Sequence, residues 1–179
     1  MTLASFPILS VITWSPFVGA LLIMFLARRS APLVRWLAVL STAVPLVLSI
    51  AIFVAYDREA AGFQFFEDVP LVPALGINYQ LGVDGLSLLM VLLTSIIIFA
   101  GAWASWTVKV RSQEFYALLL LLVTGVYGVF VSLDLFVLFL FYEIAVLPMY
   151  LLIGIWGSTG EVRPQGVFGW AIGRIRCWM

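Results

Sequence analysis

The sequence predicts an all-α fold: a polytopic membrane helix bundle of about five transmembrane helices, with a short extracytoplasmic hairpin-like loop. Three observations carry this. The 179 residues are 64% hydrophobic and 10% charged, and the mean hydropathy is +1.18. That is more apolar side chain than a water-soluble core needs. The apolar runs are each about 20 residues long, enough to cross a hydrocarbon core of roughly 30 Å as a helix. The charges gather at the ends of those runs, with one exception.

The first span runs from about Ile8 to Ala27 and ends at Arg28 and Arg29. It does not read as a cleavable signal, because no basic residue precedes the apolar run. The second covers about Trp36 to Tyr56 and ends at Asp57, Arg58 and Glu59. The third covers Leu86 to Val108 and ends at Lys109. The fourth runs from Phe115 to Leu133, and the fifth is 135–156. Only Ser132, Leu133 and Asp134 separate the last two, which predicts a tight helical hairpin. The organisation is therefore two spans in 1–56, an outer loop in 57–85, three spans in 86–156 and a cytoplasmic tail in 157–179.

The outer loop contains FQFFEDVPLVPALGINYQLGVDG, broken by Pro70, Pro73, Gly76 and Gly82. Its partial alternation of apolar and polar residues with turn formers reads as a short hairpin. The tail has no long apolar run and cannot span.

Orientation follows from the basic residues. With the N-terminus outside, eight of the nine fall on the inner side and only Arg58 falls outside, as the positive-inside rule expects. Trp36, Trp106, Tyr116 and Trp156 near inner ends, and Tyr56 near the outer end, fit an aromatic belt or serve as lipid-facing filler. The expected location is a bacterial inner membrane, multi-pass, N-terminus outside and C-terminus inside.

Composition excludes several chemistries. The formal net charge is zero, so nothing points to nucleic acid. There is no histidine and a single cysteine, Cys177. The commonest haem and zinc ligand is missing, and no cysteine cluster can form. No redox centre is expected on this chain.

The exception among the charges is Glu143, inside LFVLFLFYEIAVLPMYLLIGIW. It lies eight residues past Leu135, about 12 Å along a helix axis and near the membrane midplane. A carboxylate there costs about 2.5–3.5 kcal/mol on insertion scales. It is expected to face the bundle interior, a water-filled cavity or a partner. Desolvation favours its neutral form and a nearby Lys or Arg its charged form, so a moving counter-charge loads and unloads it. That is what a proton relay needs. The competing reading is a protonated glutamate hydrogen-bonded to a helix neighbour. Pro148 removes an N–H and crowds the carbonyl of Ile144, so a locally hydrated break beside the acid is expected. Asp134 and Asp84 are further candidate acids, Asp84 reading first as a cap of the third helix. Gly125 and Gly128, with Thr124 and Tyr127, form a close-packing polar face that supports the acid or simply packs helices. No Lys or Arg lies within any span, so a basic partner must come from elsewhere.

The segments FQFFEDVPLVPALGINYQLGVDGLSLLMVLLTS (63–95) and FVSLDLFVLFLFYEIAVLPMYLLIGIWGS (130–158) resemble the M subunit of respiratory complex I, over about residues 1–170. That family, subunit 4 in mitochondria, comprises antiporter-like proton-pumping chains. The LPMYLLIGIWG ending is more similar to it than to its sister subunits. The resemblance implies that Glu143 matches the glutamate of the fifth helix, which pairs with a lysine on a later broken helix and takes part in proton translocation driven by quinone reduction. It implies no cofactor on this chain: NADH, FMN, iron–sulfur clusters and quinone belong to other subunits. It implies other complex I membrane subunits as partners, the sister antiporter-like subunits above all, within the lipid bilayer. Family members carry roughly fourteen helices built as inverted repeats, so the chain is expected to be an N-terminal fragment, and its ending GRIRCWM departs from the pattern. A subunit of a multisubunit Na⁺/H⁺ antiporter, or a non-functional remnant, are the competing expectations.

Overall fold

The computed structural model describes residues 7–26, 31–57, 62–72, 77–107 and 111–157. Arg28, Arg29, Arg58, Lys109, Arg163, Arg174 and Arg176, which carry most of the charge asymmetry, lie outside the described residues, as does the tail 158–179.

Five helices, α1 (Ile8–Leu26), α2 (Ala31–Ala55), α3 (Gly85–Ala104), α4 (Ser112–Val131) and α5 (Leu135–Trp156), are each long and apolar enough to cross a membrane. A 3-10 turn, Ser105–Thr107, follows α3. Helices suit these runs because every backbone polar group is satisfied within the segment, which lipid demands. Hydroxyls inside the runs bond back to the preceding turn. Thr13 donates to the Leu9 carbonyl at 2.9 Å, Ser95 to Val91 at 2.8 Å and Thr124 to Leu120 at 3.0 Å. They thus enter an apolar interior without an orphaned donor.

Successive helices alternate in direction, so the bundle has two distinct ends. At one end α4 reaches back to α1: the Gln113 amide donates to the carbonyls of Ile23 and Met24 at 3.2 and 3.0 Å. At the other end lies the loop predicted as a hairpin. It is an antiparallel pair, β1 (Gln64–Val72) and β2 (Ile77–Val83), with Glu67 opposite Leu81 and Pro70 opposite Asn78. Pro70 is tolerated because β1 borders a two-stranded sheet, where a missing N–H breaks no further ladder. A register shift falls between Gln64 and Glu67, and Phe65 there takes φ 53°. Such a bulge redirects the next side chain.

The hairpin is fastened to the bundle on two sides. Leu133 N–H donates to the Gln80 carbonyl at 2.9 Å, and Leu81 bridges Ser132, which joins β2 to the α4–α5 turn. Leu81 and Val83 are fully buried with Ile8, Leu9, Ile12, Leu88 and Val131.

Helix α4 is the centre, packing against α1, α2, α3 and α5. Its closest neighbour is α5. A Cβ added at Gly125 would lie 2.5 Å from the Ala145 nitrogen and 2.7 Å from the Phe141 oxygen. Only glycine allows that backbone approach.

Candidate functional site

The site is built on α5. Asp134 starts the helix as its N-cap, with Oδ1 accepting from the N–H of Phe136 at 2.8 Å and of Val137 at 3.2 Å. The Ser132 hydroxyl donates to the Asp134 carbonyl at 3.1 Å. Two donors that would otherwise be orphaned at a helix start are thereby satisfied.

The helix then presents two faces. Val137, Phe141 and Pro148 are buried. Glu143 is two residues past Phe141, about 200° around the helix at roughly 100° per residue. It is exposed, on a stripe with the exposed Phe139, Leu140, Val146, Leu147 and Tyr150. Among the described residues, Glu143 makes no hydrogen bond or ion pair. A mid-span carboxylate is unsuited to lipid contact at about 2.5–3.5 kcal/mol. This face therefore suits protein or water.

Pro148 sits about 140° around the axis from Glu143, on the bundle side. The helix runs unbroken through it from Leu135 to Trp156. The carbonyl of Ile144, which it deprives of a donor, follows Glu143 directly in the chain.

Asp84 is the N-cap of α3, accepting from the Ser87 N–H at 2.7 Å. That backbone bond, joined by one from the Ser87 hydroxyl, holds its carboxyl below the usual aspartate range. Asp84 and Asp134 both lie at the hairpin end, about half a membrane thickness from Glu143 by helix rise.

One expectation is corrected. Gly125, Gly128, Thr124 and Tyr127 do not support Glu143. The two glycines receive the opposite, buried side of α5, around Phe141 and Ala145. Thr124 bonds within α4, and the Tyr127 hydroxyl meets that of Ser95 on α3 at 2.9 Å. The reason for Tyr127 is rotational: it lies about 100° around α4 from Gly128 and 200° from Gly125, on the side toward α3.

Sequence reasoning missed Glu67. Its carboxylate accepts from the Leu9 N–H at 2.8 Å, the Ser10 N–H at 3.2 Å and the Ser10 hydroxyl. An acid 57 residues away in the chain caps α1, whose own first turn has none. No local signal pointed to it, because the first turns of α2, α3 and α5 lack an acid as well. Tyr79 joins the same cluster, accepting from the Trp14 indole N–H at 3.0 Å, and burial pushes its phenol above the usual range.

No family model matches the chain. Individual relatives do. It is 40% identical over 155 residues to NAD(P)H-quinone oxidoreductase chain 4 2 of Thermosynechococcus vestitus, covering 86% of this chain and 29% of that protein. It is 36% identical over 159 residues to NADH-quinone oxidoreductase subunit M of Rhodobacter capsulatus, covering 87% and 31%. Over the matched residues the chain is similar to part of each of these relatives. It spans about a third of the length of the curated relatives it matches. Among solved structures, it superposes on a chain of respiratory complex I from Thermus thermophilus with bound NADH. The TM-score is 0.69 at 28% identity, over 87% of this chain and 30% of the other. An archaeal membrane-bound sulfane sulfur reductase shares the fold, with TM-score 0.72 at 22% identity over 86% of this chain and 31% of the other. The likeness to a chain of respiratory complex I thus covers the helix arrangement that carries Glu143.

Proposed function

We propose that this chain forms part of a membrane-arm subunit of NADH:quinone oxidoreductase and takes part in proton translocation coupled to electron transfer from NADH to quinone. Glu143 is the group that takes up and releases the proton. The observation that carries this reading is its placement, mid-span on the outward face of α5 with the bundle sealed behind it. A carboxylate so placed is stable when a basic group or water faces it, and it changes charge when that neighbour moves. The relatives' names supply the reaction class and favour this reading over a Na⁺/H⁺ antiporter subunit. Residues 86–156 then begin an antiporter-like proton-translocating unit. NADH, FMN, iron–sulfur clusters and quinone are assigned to other subunits, and the partners are neighbouring membrane subunits of the complex.

We place the chain in a bacterial inner membrane with its N-terminus outside. Among the described residues, Arg35 and Arg111 both lie at the end away from the hairpin, which supports this orientation. In a Cys177→Ser background, an impermeant thiol reagent applied outside is expected to label a cysteine at position 78 and miss one at 113.

The functional test uses vesicles containing the assembled complex. Proton uptake coupled to NADH oxidation should fall by more than half in Glu143→Gln, at an unchanged amount of complex. Glu143→Asp should do less harm, because it keeps a titrating group. Wild-type uptake in Glu143→Gln overturns the proposal.

A further inference from the structure

Helices α1 and α5 both start at the hairpin end and run in the same direction. Trp14 is six residues into α1 and Phe141 six residues into α5, so both sit about 9 Å below that end by helix rise. Their rings meet there, with centroids 5.9 Å apart and planes tilted by 58°. The indole is held on two further sides. Phe17 packs edge-on at 5.4 Å and 87°. The indole N–H donates to the Tyr79 hydroxyl of β2 at 3.0 Å. Ser10 also bonds the Tyr79 hydroxyl. Ser10 gives its one proton to the Glu67 carboxylate, which leaves the Tyr79 O–H to donate to the Ser10 oxygen. The donors thus run from Trp14 to Tyr79 to Ser10 and end on a carboxylate. A charge at the end of such a chain strengthens the bonds leading to it.

Phe141 is buried. On the α4 side its ring leaves no room for a Cβ at Gly128. It is therefore clamped between α4 and the indole of α1. Helix α5 is unbroken from Leu135 to Trp156, so it turns as one body. Glu143 lies about 3 Å deeper than Phe141 and about 200° around the axis. A side-chain tip is roughly 6 Å from a helix axis, so turning α5 by about 20° moves the Glu143 carboxyl about 2 Å. That separates a hydrogen bond from none. A helix resting chiefly on one neighbour, as α5 does on α4, can roll along that seam. A support off the seam stops the roll.

We propose that Trp14 is a positioning residue for Glu143: held by Tyr79 of the hairpin, its indole stops α5 from rolling on α4 and fixes where the carboxylate points. This rests on the reading of Glu143 as the proton-carrying group. Tyr79, Trp14 and Phe141 form a strut that joins the outer loop to the helix of the acid.

The test reads rotation and pumping separately. Rotation is read in the full chain, reconstituted in vesicles in a Cys177→Ser background, from the distance between spin labels at Leu86→Cys and Leu147→Cys. Both positions are exposed, and 147 lies one turn beyond Glu143 on its stripe. Trp14→Ala should shift or broaden the distance distribution by about 2 Å. Trp14→Phe keeps a ring against Phe141 and should restore part of the wild-type distribution. Tyr79→Phe removes only a hydroxyl and should broaden it less than Trp14→Ala, which keeps the test open even if Trp14→Ala folds poorly. Added to Trp14→Phe, Tyr79→Phe should do nothing more, because both break one bond. In vesicles with the assembled complex, protons taken up per NADH oxidised should fall at least about twofold in Trp14→Ala, with Trp14→Phe between. A merely structural role lowers the amount of complex and leaves that ratio alone. A wild-type distribution in folded Trp14→Ala or Tyr79→Phe overturns the proposal, and so does an unchanged ratio in Trp14→Ala. A broadened distribution beside normal uptake in Glu143→Gln leaves the strut standing and overturns the proton assignment instead.

Discussion

Helices α4 and α5 are alike in the sequence and unlike in the bundle. They are consecutive, 20 and 22 residues long, with hydropathies of 2.0 and 2.3. Yet half of α4 is buried, against 17% of α5. Helix α4 has four helical neighbours, while α5 rests chiefly on α4 with a smaller contact to β2. The charge follows that division. Past its first turn, which holds Gln113 and Glu114, the polar groups of α4 are the hydroxyls of Tyr116, Thr124 and Tyr127, each bonded within the protein. The one mid-span carboxylate of the pair sits on α5 and points away. Hydropathy reports the cost of leaving water and says nothing about which neighbour receives a face. A helix with one packed side is where an acid can meet something that moves.

The largest expected effect inverts that contrast. Glu143→Leu should improve insertion of the chain by about 3 kcal/mol on a translocon scale, because no described group compensates the acid. A glycosylation-based insertion assay reads this. Unchanged insertion would place Glu143 against a partner already present and erase the difference between the two helices.

The next test strikes the seam between them. Gly125→Val should cost about 2–3 kcal/mol, because the new side chain meets α5 backbone. Gly128→Ala adds a smaller group and meets the Phe141 side chain rather than backbone; a side chain can change rotamer where α5 backbone cannot, so the cost should be less. Unfolding in detergent monitored by circular dichroism ranks the two. Equal loss would mean that α5 is free to shift away.

A third asks whether α1 resembles α4 in being held from outside itself. Glu67→Ala removes a carboxylate from two backbone N–H groups and should lower stability by about 1–2 kcal/mol. Faster amide exchange confined to Leu9 and Ser10 is the local signature. Unaltered exchange there would show that α1 is capped by other groups.

The smallest effect concerns the entry to α3. Asp84→Ala should cost about 1 kcal/mol at neutral pH. The Asp84 carboxyl is held low by the Ser87 N–H, so the unfolded state binds its proton first as pH falls. The contribution is complete above the ordinary aspartate value near 4 and disappears as pH drops through the lower folded value. Melting curves for wild type and Asp84→Ala should therefore converge as the pH falls well below the ordinary aspartate value. A gap that persists there would assign the cap to something other than the ionised carboxylate.

Span count, the position of Glu143 within its span, the caps at Asp84 and the turn at Asp134 were legible in the sequence because they are local. A helix satisfies its own backbone, so twenty apolar residues in a row carry the decision with them, and a cap reaches only two or three residues ahead. The hairpin was legible for the same reason, through its prolines and glycines. Rotation and long-range capping were not. Whether Tyr127 faces α5 or α3 depends on which neighbours surround α4, and a 100° step per residue leaves every face open until those neighbours are in place. Glu67 on α1 and Gln113 on the carbonyls of Ile23 and Met24 join residues 57 and about 90 positions apart. Only the tertiary structure brings them together, because the hydrogen bonds of a helix end are left open by the helix itself and are closed by whatever chain packs there.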